Sequence, residues 1–227
     1  AFQAVESQIE RHQALWVLDL PRESETENCR SLDTALKGVS SVRPDRAFRS
    51  ALTAGTTALY IYTSGTTGLP KAAKISNARA QLYMKAFAGL TQMKPGEKVY
   101  CVLPLYHATG GLCAVGAALL NGGGVVLKRK FSASQFWSDV RGEGITHLVY
   151  IGELCRYLVN SPPAPNPEDE TKHKVRMAFG NGMRPEVWDH FKSRFRIKDV
   201  MEFYGSPEGN VSLFNLDGHS GAIARVP

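Results

Sequence analysis

The sequence predicts an α/β fold in which mainly parallel β-sheets are covered by helices. Short apolar runs with the length of buried strands recur along the 227 residues, and segments with helical spacing of apolar residues lie between them. Strands that alternate with helices form βαβ units, which build a parallel sheet with helices on both faces. A chain of this length also supports a substantial core.

The individual elements follow from the spacing of the apolar residues. Apolar runs predict strands over residues 14–20, 58–62, 99–103, 125–127, 146–151, 175–179 and 200–204. Helical spacing predicts helices over 77–90, 111–120 and 153–159, a helix over Phe136, Trp137 and Val140, and a helix that begins near Pro185. Ser132 and Gln135 have the spacing of a capping box, which would open the helix over Phe136.

Two polar stretches stand apart from this pattern. Residues 21–56 are polar and weakly periodic, and their pattern does not support the assignment of any particular element. Residues 161–174 contain four prolines and a charge cluster, and they predict an exposed loop within the domain. We expect residues 1–56 to be the N-terminal part of a domain whose core is formed by residues 57–227.

The charge of the chain favours an anionic ligand. The net charge is +6, and residues 1–50 hold seven Lys or Arg against eight Asp or Glu, so the remainder carries +7. This excess is too small to indicate nucleic acid by itself, and no groove-reading or RNA-binding motif is present. The six histidines lack ligand spacing, which disfavours a metal-dependent hydrolase.

The cysteines and the apolar runs exclude two further classes. Cys29, Cys101, Cys113 and Cys155 lie far apart without a C-x-x-C pair, which disfavours structural zinc or a disulfide scaffold and indicates a reducing compartment. The longest apolar run, residues 111–120, is about half of the roughly 20 residues that a membrane span requires. We therefore expect no transmembrane segment in this chain and a cytoplasmic location.

A loop rich in hydroxyl groups and glycine follows the strand predicted over 58–62. Its glycines let the backbone approach a ligand, its hydroxyls donate hydrogen bonds, and a lysine ends it, which together suit a polyphosphate. These residues are Thr63, Ser64, Gly65, Thr66, Thr67, Gly68 and Lys71. The spacing matches neither the Walker A nor the dinucleotide-binding pattern. From the residues alone, a phosphate loop and a plain surface turn both stay open.

Three stretches in order resemble the motifs of the acyl-adenylate-forming superfamily, which includes acyl-CoA synthetases, adenylation domains of peptide synthetases and luciferases. They are YIYTSGTTGLPKAA at 60–73, LPLYHATGG at 103–111 and EFYGSPEGN at 202–210. Within the superfamily, KFSASQFW, YIGELCRYL and MAFGNGMRP are similar to the fatty-acid transport protein and very-long-chain acyl-CoA synthetase branch. The resemblance extends over residues 57–225, and it implies that the chain is an incomplete N-terminal domain of an AMP-forming ligase.

The resemblance implies ATP-dependent activation of a long or very long fatty acid, through an acyl-adenylate, to its CoA thioester. The implied ligands are ATP, Mg²⁺, CoA and the fatty acid. Thr63 to Gly68 and Lys71 would hold the β- and γ-phosphates, and His107 would border the carboxylate and the acyl-adenylate. Lys71, His107 and Glu208 would be the catalytic residues.

The resemblance also implies an adenine site and a metal ligand. Gly180, Asn181 and Gly182 would give a flat backbone edge for adenine, and Tyr204 would stack on its ring. Gly205 and Ser206 would contact the nucleotide, and Glu208 would bind Mg²⁺.

The sequence departs from the family at Pro207, where the family usually has threonine. Proline has neither a hydroxyl nor a backbone N–H, so a donor to the α-phosphate is lost. Both chain ends look cut, and the ribose-binding aspartate, the hinge and the small C-terminal domain of the family are missing. We therefore expect a fragment that binds nucleotide with little or no turnover on its own.

Other functions stay open at this point. The chain could belong to an enzyme that adenylates another carboxylic acid, to a fatty-acid uptake or binding protein, or to an inactive nucleotide-binding fragment. Peripheral membrane association of the parent protein, chain-length preference and oligomeric state are not fixed by any residue.

Overall fold

The structure is a computed structural model that describes residues 15–17, 23, 25, 29–63, 69–209 and 211–224. The chain divides into two compact units between Leu52 and Thr53. No helix in the described ranges is long and apolar enough to cross a bilayer. All four cysteines are buried and free.

The first unit contains a short parallel strand pair and a helix. Strand β1 (Leu15–Val17) pairs with β2 (Cys29–Ser31), and helix α1 (Leu32–Lys37) follows at once. Ser31 caps this helix, because its hydroxyl accepts from the amide of Thr34 at 3.2 Å. The strand predicted over 14–20 is confirmed over 15–17, and its other residues lie outside the described ranges. A 3₁₀-helix spans Arg46–Arg49.

The second unit begins with an antiparallel hairpin that the sequence predicted only in part. Strand β3 (Thr57–Thr63) confirms the run at 58–62, but its partner β4 (Lys71–Ser76) was not predicted. Strand β4 is hard to find because Ile75 is its one buried residue, and apolar alternation is otherwise weak. Helix α2 (Asn77–Thr91) starts directly behind it, and the Ser76 hydroxyl caps the helix at the amide of Arg79.

A six-stranded sheet forms the centre of this unit. Its order is β10-β9-β8-β7-β5-β6, and all neighbouring pairs are parallel except β10 with β9. The strands are β5 (Lys98–Cys101), β6 (Gly124–Leu127), β7 (His147–Ile151), β8 (Met177–Asn181), β9 (Asp199–Tyr204) and β10 (Leu213–Asn215). The predicted parallel sheet is confirmed, with β8 starting two residues later than expected and the three-residue β10 missed.

Helices cover both faces of the sheet, as predicted. A π-helix (Thr109–Ala114) leads into α3 (Val115–Leu120), and α4 (Ala133–Gly142), α5 (Gly152–Asn160), α6 (Glu168–Thr171) and α7 (Pro185–Phe195) follow. Successive strand residues face opposite sides, so Tyr100 packs with α4, α5 and α7 whereas Val99 packs with α2 and α3. The loop predicted over 161–174 contains only the short α6.

The capping box predicted at Ser132 and Gln135 is wrong. Helix α4 does begin after Ser132 and does bury Phe136, Trp137 and Val140, but the Ser132 side chain caps no amide among the described residues. Its hydroxyl lies 3.3 Å from that of Ser134 instead. The contact between the Ser132 and Ser134 hydroxyls is found where the sequence predicted a hydrogen bond from Ser132 to a helix amide.

Candidate functional site

A cavity of about 330 Å³ opens at the carboxyl ends of the parallel strands. This edge is where open α/β sheets bind their ligands. The segments after β5 and β9 and the last residues of β7 and β8 supply most of its wall. The lining residues are Tyr83, Leu103, Pro104, His107, Ala108, Thr109, Cys113, Ile151, Asn181, Phe203, Gly205, Ser206 and Pro207.

Four of the predicted site residues meet in this cavity, although they come from three separate motifs. His107 follows β5, Asn181 ends β8, and Gly205 and Ser206 follow β9. His107 is exposed and its ring lies 4.8 Å from that of Tyr106, measured between centroids. The fold thus brings residues of three motifs that are distant in sequence to the wall of one cavity.

The other predicted residues do not line the cavity. Gly180 is buried one residue behind Asn181, and Gly182 lies exposed one residue beyond it. Tyr204 is 56% exposed at the end of β9, and Glu208 is exposed in the turn that follows.

The hairpin holds the two ends of the predicted phosphate loop together. Thr63 ends β3 and Lys71 begins β4, and the two residues are paired across the hairpin. The Thr63 hydroxyl donates to the Lys71 carbonyl at 3.4 Å. Lys71 is exposed, whereas Ser64, Gly65, Thr66, Thr67 and Gly68 lie outside the described residues.

Gly180 has a packing role that its sequence motif does not suggest. It lies between Tyr150 on β7 and Glu202 on β9, paired with each in the sheet register. A Cβ atom on Gly180 would lie 2.2 Å from the Tyr150 carbonyl oxygen and 2.6 Å from its ring. Only glycine leaves room for the two neighbouring side chains to meet across the middle strand.

Glu202 is the polar residue that fixes the segment after β8. It is 4% exposed, and its Oε2 accepts from the Tyr150 hydroxyl at 2.7 Å. Its Oε1 accepts from the amides of Gly182 and Met183. Gly182 has φ +78°, in the left-handed region, so its backbone turns sharply toward this carboxylate.

Burial sets the ionisation of this pair. Loss of water raises the pKa of Glu202 above its usual value, although the hydrogen bonds from Tyr150, Met183 and Gly182 act in the opposite direction. Burial and the nearby Glu202 charge raise the pKa of the Tyr150 hydroxyl, which therefore remains a donor. The pair orients the predicted adenine edge without reaching the cavity wall.

Helix α2 fixes the turn that carries Glu208. The Tyr83 hydroxyl donates to the Ser206 carbonyl at 2.7 Å, and Arg79 Nη1 donates to the carbonyls of Pro207 at 3.0 Å and Gly209 at 2.8 Å. Burial raises the pKa of Tyr83, and the Glu208 charge adds to that rise while Arg79 opposes it.

The donor set around Glu208 fits Mg²⁺ held together with a polyphosphate. Among the described residues, no group of three or more His, Cys, Asp or Glu side chains could hold a metal by itself. Protein sites for Mg²⁺ at nucleotides use one or two carboxylates, and the phosphates and water supply the other oxygens. A single exposed carboxylate beside the cavity therefore suits this ion.

Sequence reasoning missed four residues that shape the site: Arg79, Tyr83, Tyr150 and Glu202. Glu202 carries a signal, because it is a lone acidic residue in the apolar strand VMEFY. Arg79 and Tyr83 carry none, because they bind backbone carbonyls more than 120 positions away, and a carbonyl has no sequence signature.

The sequence comparison identifies the family. The chain matches the AMP-binding enzyme family over residues 3–225. It belongs to this family.

Curated relatives are fatty-acid transport proteins. Long-chain fatty acid transport protein 3 of Mus musculus is 50% identical over 170 residues, which cover 75% of this chain and 25% of the relative. Long-chain fatty acid transport protein 2 of Rattus norvegicus is 43% identical over 205 residues, which cover 89% of this chain and 32% of the relative. The chain thus spans a quarter to a third of the length of these relatives.

Solved structures share the fold of this chain. ATP-bound MatB from Rhodopseudomonas palustris aligns with a TM-score of 0.66 at 24% identity, over 84% of this chain and 37% of that chain. The inhibitor-bound N-terminal domain of FACL13 from Mycobacterium tuberculosis aligns with a TM-score of 0.68 at 18% identity, over 88% of this chain and 52% of that chain. At these identities the likeness concerns the fold.

Proposed function

We propose that the full-length protein containing this chain activates a long or very long fatty acid as its CoA thioester. The carboxylate attacks the α-phosphate of ATP to form an acyl-adenylate and pyrophosphate, and the CoA thiol then displaces AMP. The observation that carries the proposal is the cavity shared by His107, Asn181, Gly205 and Ser206 at the carboxyl edge of the sheet. The relatives, which are long-chain fatty acid transport proteins, supply the substrate class.

The cavity combines the two environments that an acyl-adenylate needs. Leu103, Ile151 and Phe203 form an apolar wall, whereas His107 and Asn181 offer polar groups. The exposed His107 would border the carboxylate, because its ring can donate to an oxygen that carries negative charge. The apolar wall would receive the first carbons of the acyl chain and exclude water from the reacting carbonyl.

The nucleotide would extend from the cavity toward the hairpin. Thr63 to Gly68 and Lys71 would hold the β- and γ-phosphates, and Glu208 would hold Mg²⁺, which offsets phosphate charge when bound. Gly180 to Gly182 would meet adenine with Tyr204 on its other face, and Gly205 and Ser206 would contact the nucleotide. The protein's task is mainly to position two anions that otherwise repel each other.

The test is fatty-acid-dependent exchange of pyrophosphate into ATP by the full-length protein, followed by acyl-CoA formation after CoA is added. Lys71→Ala should reduce exchange strongly. Lys74→Ala is the matched control, because Lys74 is exposed on the same strand β4 and belongs to no predicted motif. Absence of exchange with long and very long fatty acids would contradict the proposal, and exchange with aromatic acids alone would indicate that the enzyme adenylates another carboxylic acid.

Fatty-acid uptake is a second candidate, favoured by the transport proteins among the relatives. Uptake of labelled fatty acid by cells that carry Glu208→Gln separates the two functions. Loss of uptake together with loss of acyl-CoA formation indicates trapping by activation, whereas retained uptake indicates a separate transport role.

Flotation with phospholipid vesicles tests peripheral membrane association, and the four buried free thiols fit a cytoplasmic face.

A further inference from the structure

Helix α2 joins the two parts of the proposed Mg·ATP site. Its first turn is fastened to the base of the hairpin, because the amides of Asn77 and Ala78 donate to the carbonyls of Thr56 and Ala54, each at 2.9 Å. The Asn77 side-chain amide also donates to the Thr53 carbonyl at 3.0 Å. These hydrogen bonds tie the first turn of α2 to the segment that leads into β3.

The same helix holds the Glu208 turn from the other side. Arg79, in the same first turn, bridges the carbonyls of Pro207 and Gly209, and Tyr83, one turn later, reaches the Ser206 carbonyl. Three carbonyls of a four-residue segment thus accept from α2. Arg79 is a charged donor, and such hydrogen bonds are shorter and stronger than neutral ones.

The geometry of this turn makes its position dependent on α2. The turn has one internal hydrogen bond among the described backbone groups, from the Gly209 amide to the Ser206 carbonyl at 3.0 Å. Glu208 is exposed and its side chain is not packed into the core. The carboxylate is therefore located by its backbone, and α2 locates that backbone.

We propose that Arg79 and Tyr83 are positioning residues that hold the Glu208 turn in a fixed place relative to the hairpin of β3 and β4. The role rests on the proposed function, since Glu208 must serve the Mg·ATP complex for its position to matter. Neither residue needs to touch the nucleotide. A displaced carboxylate would bind the metal with poor geometry, and Mg²⁺ tolerates little departure from octahedral coordination.

The test compares two variants in the full-length protein. Tyr83→Phe removes one hydroxyl, and Arg79→Met removes the donors while keeping an unbranched side chain. Each should lower kcat/KM for pyrophosphate exchange by about tenfold or more, since small misplacements of catalytic groups are costly. Each should also raise the Mg²⁺ concentration for half-maximal rate, with Arg79→Lys restoring part of the loss. Lys85→Met, at an exposed position of the same helix, is the control.

A double variant tests whether Arg79 acts through Glu208. If it does, Arg79→Met should cause no further loss in a protein that already carries Glu208→Gln. Losses that multiply would overturn the positioning role, and so would an unchanged Mg²⁺ requirement in both single variants. A lowered thermal unfolding temperature would show that Arg79→Met is misfolded. The kinetics of Tyr83→Phe would then decide whether the positioning role holds.

Hydrogen–deuterium exchange gives a readout that does not depend on turnover. The amides of Gly205, Ser206, Glu208 and Gly209 should exchange faster in Tyr83→Phe than in the parent, while those of β7 and β8 do not change. Equal exchange overturns the proposal. If the parent protein itself shows no pyrophosphate exchange that depends on added fatty acid, the proposed function fails before any variant is compared. The positioning role of Arg79 and Tyr83 then fails as well.

Discussion

The Tyr150 hydroxyl meets the Glu202 carboxylate at 2.7 Å across an intervening strand. Tyr150 lies on β7 and Glu202 on β9, and Gly180 occupies the paired position on β8 between them. The missing side chain of Gly180 makes this contact possible. The contact in turn fixes Glu202 where it accepts from the amides of Gly182 and Met183.

Gly180→Ala should destabilise the protein and disturb the adenine edge. The new Cβ would lie 2.2 Å from the Tyr150 carbonyl oxygen, which is backbone and cannot rotate away. We expect a loss of about 1–3 kcal/mol in the free energy of unfolding, as for other overpacked sites. Urea unfolding measures it. Gly89→Ala is the control, because nothing lies within 4 Å of a Cβ there. Alanine in the last turn of α2 should be neutral or stabilising.

Tyr150→Phe should separate the contribution of the packed ring from that of the hydroxyl, which donates to Glu202. The ring remains, but Glu202 loses its one side-chain donor among the described contacts while staying buried. Leaving such an acceptor underpaired costs about 1–3 kcal/mol. The affinity for ATP should fall as well, because the segment after β8 loses part of its support. Tyr157→Phe, at a 53% exposed tyrosine, should change neither quantity. Unaltered ATP affinity in a destabilised Tyr150→Phe protein would limit Glu202 to a purely structural role.

The sequence predicts the parts of the fold whose apolar residues form one clear pattern. Buried parallel strands are continuous apolar runs, so β5, β7 and β9 are readable from the sequence. Strand β4 is not, because Lys71, Ala72 and Lys74 are exposed and only Ile75 is buried. An antiparallel strand of this kind is defined by its partner, which lies across a turn.

The same distinction applies to the site. The family motifs are short, local runs of sequence, so the resemblance predicts His107, Asn181 and Ser206, and the fold brings them together. Arg79 acts on backbone carbonyls of the turn after β9, and Glu202 acts on backbone amides of the segment after β8. Their roles exist only once the sheet and α2 are assembled.

The free energy of unfolding should fall as the pH drops from 6.5 toward 4, because of His147. This residue is fully buried, and burial together with the nearby Arg176 lowers its pKa to about 4 from the usual 6.5. In that window the unfolded chain takes up a proton and the native protein does not, so stability declines by up to about 1.4 kcal/mol per pH unit. Urea unfolding between pH 7 and 4 measures the slope.

Glu97 extends the decline to lower pH. Its two bonds with Arg176, at 2.9 and 3.0 Å, lower its pKa to about 2 from 4.5. Its contribution is therefore complete above pH 4.5 and is lost as the pH falls toward 2. His147→Gln should flatten only the upper window. His190→Gln, at an exposed position of α7, should leave both windows unchanged. An unchanged slope in His147→Gln would assign the acid sensitivity elsewhere.

Pro207→Thr should increase adenylation by the full-length protein. Pro207 lines the cavity, and its carbonyl is already used by Arg79. Threonine would keep that carbonyl and add a hydroxyl and an amide N–H facing the region where the α-phosphate would react. Loss of one such donor typically costs about a hundredfold in rate, so we expect a gain between a few-fold and that limit.

Pyrophosphate exchange that depends on added fatty acid measures the gain. Pro163→Thr in the exposed loop serves as the control. The KM for the fatty acid should change little, because the new donor acts on charge that develops in the transition state. A rate that does not rise would mean that neighbouring amides, such as those of Gly205 and Ser206, already supply the contact. In that case Ser206→Pro, which removes an amide at the adjacent position, should cause the loss that Pro207 does not.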